Sequence, residues 1–143
     1  MARYRVTIAS PRTPEEVFDY MAKFSNVKVW DPTAVKAHAV DGAEPGQGTT
    51  YHVVVRWLGR EIPLDYVTTE FKRPRRVVLR AENSSTISED TITVEPADGG
   101  CEMTYEAHLT VKGAMRLLEP LFGLLLKRLG DNAADGLRRE LGE

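Results

Sequence analysis

The sequence predicts an α+β domain in which a curved antiparallel sheet is closed by one long C-terminal helix. Two observations carry this. Between Val35 and Val111, apolar and polar side chains alternate in runs separated by turn-forming clusters, the period of strands with one solvated face. From Lys112 to Glu143, Met115, Leu118, Phe122, Leu125, Leu129, Ala133 and Leu137 recur at three- and four-residue steps and mark one helix face. Arg116, Glu119, Lys127, Arg128, Asp131, Asp135, Arg138 and Arg139 fall on the other side. Such a helix would run about 25 residues, nearly 40 Å at ~1.5 Å per residue. One layer of strands can cover that length only by curving around it.

Taken in order, Tyr4, Val6 and Ile8 alternate with Arg3, Arg5 and Thr7, so the chain opens on a strand. Thr13 is a suitable N-cap for the helix that follows. Pro14 fits its first position, and Glu15 and Glu16 suit the positive end of the helix dipole. Val17, Phe18, Met21 and Phe24 form its apolar side. A second short helix or turn, Ser25 to Trp30, stops at Asp31-Pro32, because the residue before proline is pushed out of helical geometry. Strands follow at Val35 to Val40, Thr49 to Leu58, Glu61 to Phe71, from Val77, Thr91 to Glu95 and Glu102 to Val111. Gly59-Arg60 reads as the hairpin turn between the second and third of these. Pro120 inside the last segment should bend the helix or mark a break in it.

Composition narrows the class. At 143 residues one domain spanning 1–143 is the economical reading. Lys plus Arg total 19 and Asp plus Glu 21, a net charge of −2, which speaks against binding driven by phosphate neutralisation and so against nucleic acid. One cysteine, Cys101, cannot form an internal disulfide and suits the cytoplasm. The apolar run Leu117 to Leu126 contains Glu119 and Pro120 and is far short of the roughly 20 residues a spanning helix needs, so no membrane insertion is expected.

With the elements laid out, the chain resembles the START-like or SRPBCC superfamily, and within it the polyketide cyclase/dehydrase-like proteins. The resemblance rests on Val6, Ile8, Pro11, Val17, Phe18, Tyr20 and Met21 in the opening segment, and on Trp30 after the short helix. It continues through the Gly46-x-Gly48 turn, the segment Glu70 to Val77, and the last strand, Met103 to Leu109, followed by Gly113. It spans essentially the whole chain. It implies a helix-grip (START-like/Bet v 1-like) fold: a curved seven-stranded antiparallel sheet around the C-terminal helix, with two short helices and an internal cavity for an apolar small molecule. Fold-level likeness leaves activity open. Aromatic cyclases of the superfamily carry polar residues where this helix lines the cavity, whereas Leu117, Leu118, Leu121, Phe122, Leu124, Leu125 and Leu126 are all apolar here.

Candidate chemistry is sparse. His38, His52 and His108 fall on outward parities without a second ligand type at metal-binding spacing, so no metal or other cofactor is expected. Cys101 has no neighbouring base to activate it. Gly46-Gln47-Gly48 leads into a strand, not into the helix N-terminus of a phosphate loop. Lys72 to Arg76 (KRPRR) reads as a solvated connection. The inward positions are more informative. Trp30, Tyr51, Val53, Val55, Trp57, Tyr66, Thr68, Leu79, Ala81, Asn83, Ile92, Tyr105, Leu118, Phe122 and Leu125 are the expected cavity residues. Extending the parity of Ile92 and Val94 backwards adds Ser88 and Asp90. Asp90 is the one acid of the set, with Tyr66 and Tyr105 the other candidates for proton transfer. Three functions are in view. One is binding or transport of a lipid- or polyketide-like molecule. Another is a cyclase or dehydratase. The third is an interaction module, either a homodimer through Leu117, Leu121 and Leu124 or a membrane-edge surface.

Overall fold

The computed structural model describes residues 2–142. β1 (Ala2–Ser10) leads into α1 (Pro14–Ala22), a 3₁₀ turn (Phe24–Asn26) and α2 (Val27–Trp30). Six strands follow: β2 (Ala34–Asp41), β3 (Thr50–Trp57), β4 (Arg60–Lys72), β5 (Arg76–Glu82), β6 (Thr86–Ala97) and β7 (Gly100–Val111). A 3₁₀ turn (Gly113–Leu118) then delivers the chain into α3 (Glu119–Leu141). The sheet has seven antiparallel strands in the order β1-β7-β6-β5-β4-β3-β2. The fold is the helix-grip arrangement that the resemblance implied.

Local chemistry sets the boundaries. At α1 the Thr13 hydroxyl accepts from the Glu16 backbone N–H at 3.1 Å, while the Glu16 carboxylate accepts from the Thr13 N–H at 3.2 Å, a reciprocal capping box. Register irregularities at Ala34/Lys36 and Ala39/Asp41 in β2 and at Thr68/Glu70 in β4 bend and twist these strands locally. The β3–β4 hairpin turns one residue earlier than the sequence reading: Trp57 pairs with Arg60, and Leu58-Gly59 are the loop. Both loop residues have positive φ (51° and 77°), as a two-residue type I′ turn requires. β6 begins at Thr86, not Thr91, because this polar stretch is paired on both flanks, by β5 and by β7. The α-helix starts only at Glu119. Pro120 stands in its first turn, where its missing N–H costs nothing, and so marks a start and not a bend.

The two ends of the sheet differ. At the end where β1 finishes and α1 begins, Ile8, Phe18, Leu79, Ile92, Met103, Leu137 and Leu141 are buried in continuous contact. The end of α3 is fastened there by the Ser10 hydroxyl, which donates to the Leu141 carbonyl at 2.6 Å. Gly136 sits so close to α2 that a Cβ built on it would lie 2.1 Å from the Trp30 carbonyl oxygen, and one on Gly130 would lie 2.5 Å from the Tyr4 ring. These glycines let the helix meet backbone and ring at a distance no side chain would permit. Toward the opposite end, before Gly130, no residue of α3 is fully buried.

Candidate functional site

Where α3 stands away from the sheet, it leaves an internal cavity of about 340 Å³. This is the lower part of the range for small-molecule pockets. The sheet contributes Val53, Val55, Ile62, Leu64 and Leu109, and α3 contributes Phe122, Leu126, Leu129 and Ala133, so the walls are mainly apolar. Trp57 of β3 stacks on Phe122 of α3 with ring centroids 6.3 Å apart, joining the hairpin tip to the helix. Arg60, Asn83 and Ser85 line the cavity near the strand ends on this side.

At the other end of the cavity, against the buried core, four elements bring polar groups together. Tyr66 of β4 and Ser88 of β6 share a hydrogen bond of 2.9 Å. The Tyr105 hydroxyl of β7 donates to Asp90 Oδ2 of β6 at 3.1 Å. Asp31, in the α2–β2 connection, turns its carboxylate back on its own chain, where Oδ1 accepts from the Thr33 N–H at 2.9 Å and the Thr33 hydroxyl at 2.8 Å. Aromatic edges hold the tyrosines in place, Phe24 against Tyr66 at 5.0 Å and Trp30 against Tyr105 at 5.3 Å.

Burial governs the ionisation of this cluster. Loss of solvation raises the Asp90 carboxyl to about 7. The Tyr105 hydrogen bond opposes the rise, and the negative charges of Asp31 and Glu89 add to it. Asp31 is also raised by burial, against the two Thr33 hydrogen bonds. Tyr66 and Tyr105 are held well above the ordinary phenol value by burial and by the neighbouring Asp90 charge, so both remain neutral donors. The arrangement can therefore offer hydroxyl donors and a carboxyl that exchanges its proton near neutrality to a molecule held against apolar walls.

Of the expected cavity residues, the structure brings Val53, Val55, Trp57, Tyr66, Asn83, Tyr105 and Phe122 to the cavity, together with Asp90 and Ser88. Asn83 enters with its Oδ1 already occupied by the Ser85 and Thr86 backbone N–H groups of its own turn. Tyr51, Thr68, Leu79, Ala81 and Ile92 point inward as parity requires, and Trp30 of α2 is buried with them, yet none of these lines the space. They are covered by neighbouring side chains and belong to the solid core or its margin; Tyr51, for instance, packs on Phe24 and donates to the Ala22 carbonyl at 3.4 Å. Leu118 and Leu125 are corrections of another kind. Leu118 belongs to the exposed 3₁₀ turn, and Leu125 lies with Leu121 and Leu124 on the outer side of α3.

Of the cavity residues that sequence reasoning missed, among them Tyr4, Arg60, Ile62 and Leu64, Asp31 matters most to the chemistry. Read only as a helix stop before Pro32, it supplies a second carboxyl to the cavity. The Asp-x-Thr spacing of an Asx-type turn was the available signal that its side chain folds back on the chain. Two of the histidines lie elsewhere, with His52 Nδ1 2.7 Å from Asp65 Oδ1 on the outer face, beside His38. His108, read as outward from parity, is a correction: it borders the cavity between Ala107 and Leu109, half-buried. Cys101 is buried, with its thiol raised by desolvation.

A family model described as "Polyketide cyclase / dehydrase and lipid transport" matches residues 1–142. Among solved structures, a protein from Thermus thermophilus superposes with a TM-score of 0.78 at 17% identity, covering 98% of this chain and 95% of its own. A START superfamily protein from Mycobacterium smegmatis gives 0.78 at 12% identity, covering 99% and 96%. Ara h 8.0201 gives 0.59 at 14%, covering 94% and 97%. Identities this low speak for the fold alone. No curated protein sequence matched.

Proposed function

The chain belongs to the polyketide cyclase / dehydrase and lipid transport family, and from that premise we propose that it binds a compact apolar molecule with one polar end, as a single-domain carrier or receptor in a reducing compartment. The observation that carries this is the cavity itself, apolar along its walls and polar at its inner end, where Tyr66, Ser88, Asp90, Tyr105 and Asp31 converge. The ligand's apolar body lies along Val53, Val55, Phe122 and Leu126, and its hydroxyl or carbonyl meets Tyr66 and Tyr105. A volume of about 340 Å³ favours a fused-ring or short-chain molecule over a long-chain lipid.

The neutral fluorescent probe N-phenyl-1-naphthylamine tests the reading. Its emission should rise on mixing with the wild-type protein, and Ala107→Trp, which puts an indole into the cavity from its β7 wall, should abolish the rise. Equal emission from the variant would place binding outside the cavity and end the proposal. A second reading, a cyclase or dehydratase acting on a polyketide-like substrate, is favoured by one observation: Asp90 is raised to about 7 and hydrogen-bonded to Tyr105. Asp90→Asn separates the two. An enzyme turns over a polyketide-like substrate as the wild type and loses that turnover in the variant while still binding, whereas a carrier shows no turnover in either and keeps its affinity.

A further inference from the structure

The chain between Lys112 and Gly130 carries four cations, Lys112, Arg116, Lys127 and Arg128, and one acid, Glu119, although the whole protein is net acidic. Within the same stretch Leu117, Leu121 and Leu124 are 86%, 61% and 70% exposed. Three leucines standing in water on one short segment are a costly arrangement unless something covers them. At about 100° per residue, Leu121, Leu124 and Arg128 share the outward face of α3, with Lys127 beside them. Among the described residues Arg116, Lys127 and Arg128 make no side-chain hydrogen bond or ion pair, whereas Lys112 is held by Glu82. The nearby acids of α3 are engaged within the chain: Asp131 accepts from the Tyr4 hydroxyl at 2.9 Å, and Asp135 pairs with Arg138 at 3.2 Å. The β3–β4 tip, tied to this segment by the Trp57–Phe122 stack, adds Leu58 at 83% exposure.

We propose that the outward face of the Gly113–Leu118 turn and the first turns of α3 is a docking surface for an anionic lipid bilayer. The leucines enter the headgroup boundary, and Arg116, Lys127 and Arg128 meet the lipid phosphates. Charge selects this occupant. A second copy seated on the same face across a twofold axis would bring unpaired cations together around a buried apolar seam, whereas an anionic surface neutralises them. No helix among the described residues is long and apolar enough to cross a membrane, so the attachment is peripheral and reversible. The face is carried by the same helix turns that supply Phe122 and Leu126 to the cavity wall. Docking stands independently of what the cavity holds.

Co-sedimentation with large unilamellar vesicles tests the proposal. The protein should bind vesicles of mixed phosphatidylglycerol and phosphatidylcholine, bind pure phosphatidylcholine weakly, and release as salt rises from about 0.1 M to about 0.5 M. Leu121→Glu with Leu124→Glu should weaken binding by at least about tenfold per leucine. Lys127→Gln with Arg128→Gln, which leaves every apolar contact in place, should weaken it about 25-fold, about fivefold for each cation near an anionic surface. Equal binding to neutral vesicles, or binding indifferent to both pairs of substitutions, overturns the proposal. So does a dimer in light scattering that Leu121→Glu splits while vesicles go unbound, which would assign the face to a second copy.

Discussion

The two halves of α3 relate to the rest of the molecule in opposite ways. From Gly130 onward the helix presents glycine, alanine and two leucines, and it is pressed against Tyr4 and the backbone of Trp30. Before Gly130 it presents large side chains in nearly every direction and touches the sheet only through a few of them. Bulk alone would suggest the reverse, with the leucine-rich half as the anchor. Small residues anchor because they let helix and backbone approach closely. Large ones hold the helix off, and the space beneath them becomes the cavity.

This contrast can be broken at three points of decreasing effect. Gly136→Ala should be the most damaging change. Its Cβ would meet a backbone carbonyl that no rotamer change can move, so a loss of about 3 kcal/mol is expected despite the better helix propensity of alanine. Urea unfolding monitored by circular dichroism measures it. A loss near zero would mean the close approach is not what fixes the helix.

Asp90→Asn acts next, and in the opposite direction. The native carboxyl, raised to about 7, keeps a proton that the unfolded chain releases near its ordinary 3.8. The native state therefore binds more protons between these values, and stability falls as pH rises through that window. A shift of about three units caps the penalty at about 4 kcal/mol. Asparagine's own burial takes some of this back, so a gain of about 2 kcal/mol at pH 8 and none at pH 4 is expected. Urea midpoints at the two pH values check it, and equal midpoint shifts would show that Asp90 is not held neutral by burial. Leu124→Gln should change stability by less than about 0.5 kcal/mol, since its side chain is already in water. A larger loss in thermal unfolding would mean that the outer face is covered within the monomer.

Much of this was legible in the chain. Alternation found all seven strands, though it began β6 at Thr91 in place of Thr86. Thr13-Pro14 placed the start of α1, and parity alone turned Asp90 and Ser88 inward. What parity cannot give is depth. Leu79 and Tyr66 face the same way, but only Tyr66 reaches open space, because the difference depends on how far α3 stands off at that point. That distance is set by Gly130 and Gly136, whose importance is invisible until their neighbours are known. Asp31 was hidden for a related reason. Its place before Pro32 fully accounts for it locally, and its role as a cavity carboxyl arises only when β6 and β7 arrive beside it.

The pairing of β1 with β7 has a further consequence, for how the protein is made. Ala2 lies opposite Leu109 and Ser10 opposite Cys101, so the first strand of this sheet waits for its seventh before it has a partner. The hairpins from β2 to β7 can form as they emerge, each next to its sequence neighbour. β1, with Tyr4 and Ile8 still uncovered, cannot join them until β7 has left the ribosome, and α3 has no Tyr4 to dock on until then. Such long-range closure slows folding and leaves apolar surface open in the interval. The pairing that completes this sheet is thus the one that encloses the cavity, and anything bound inside is captured as the sheet closes.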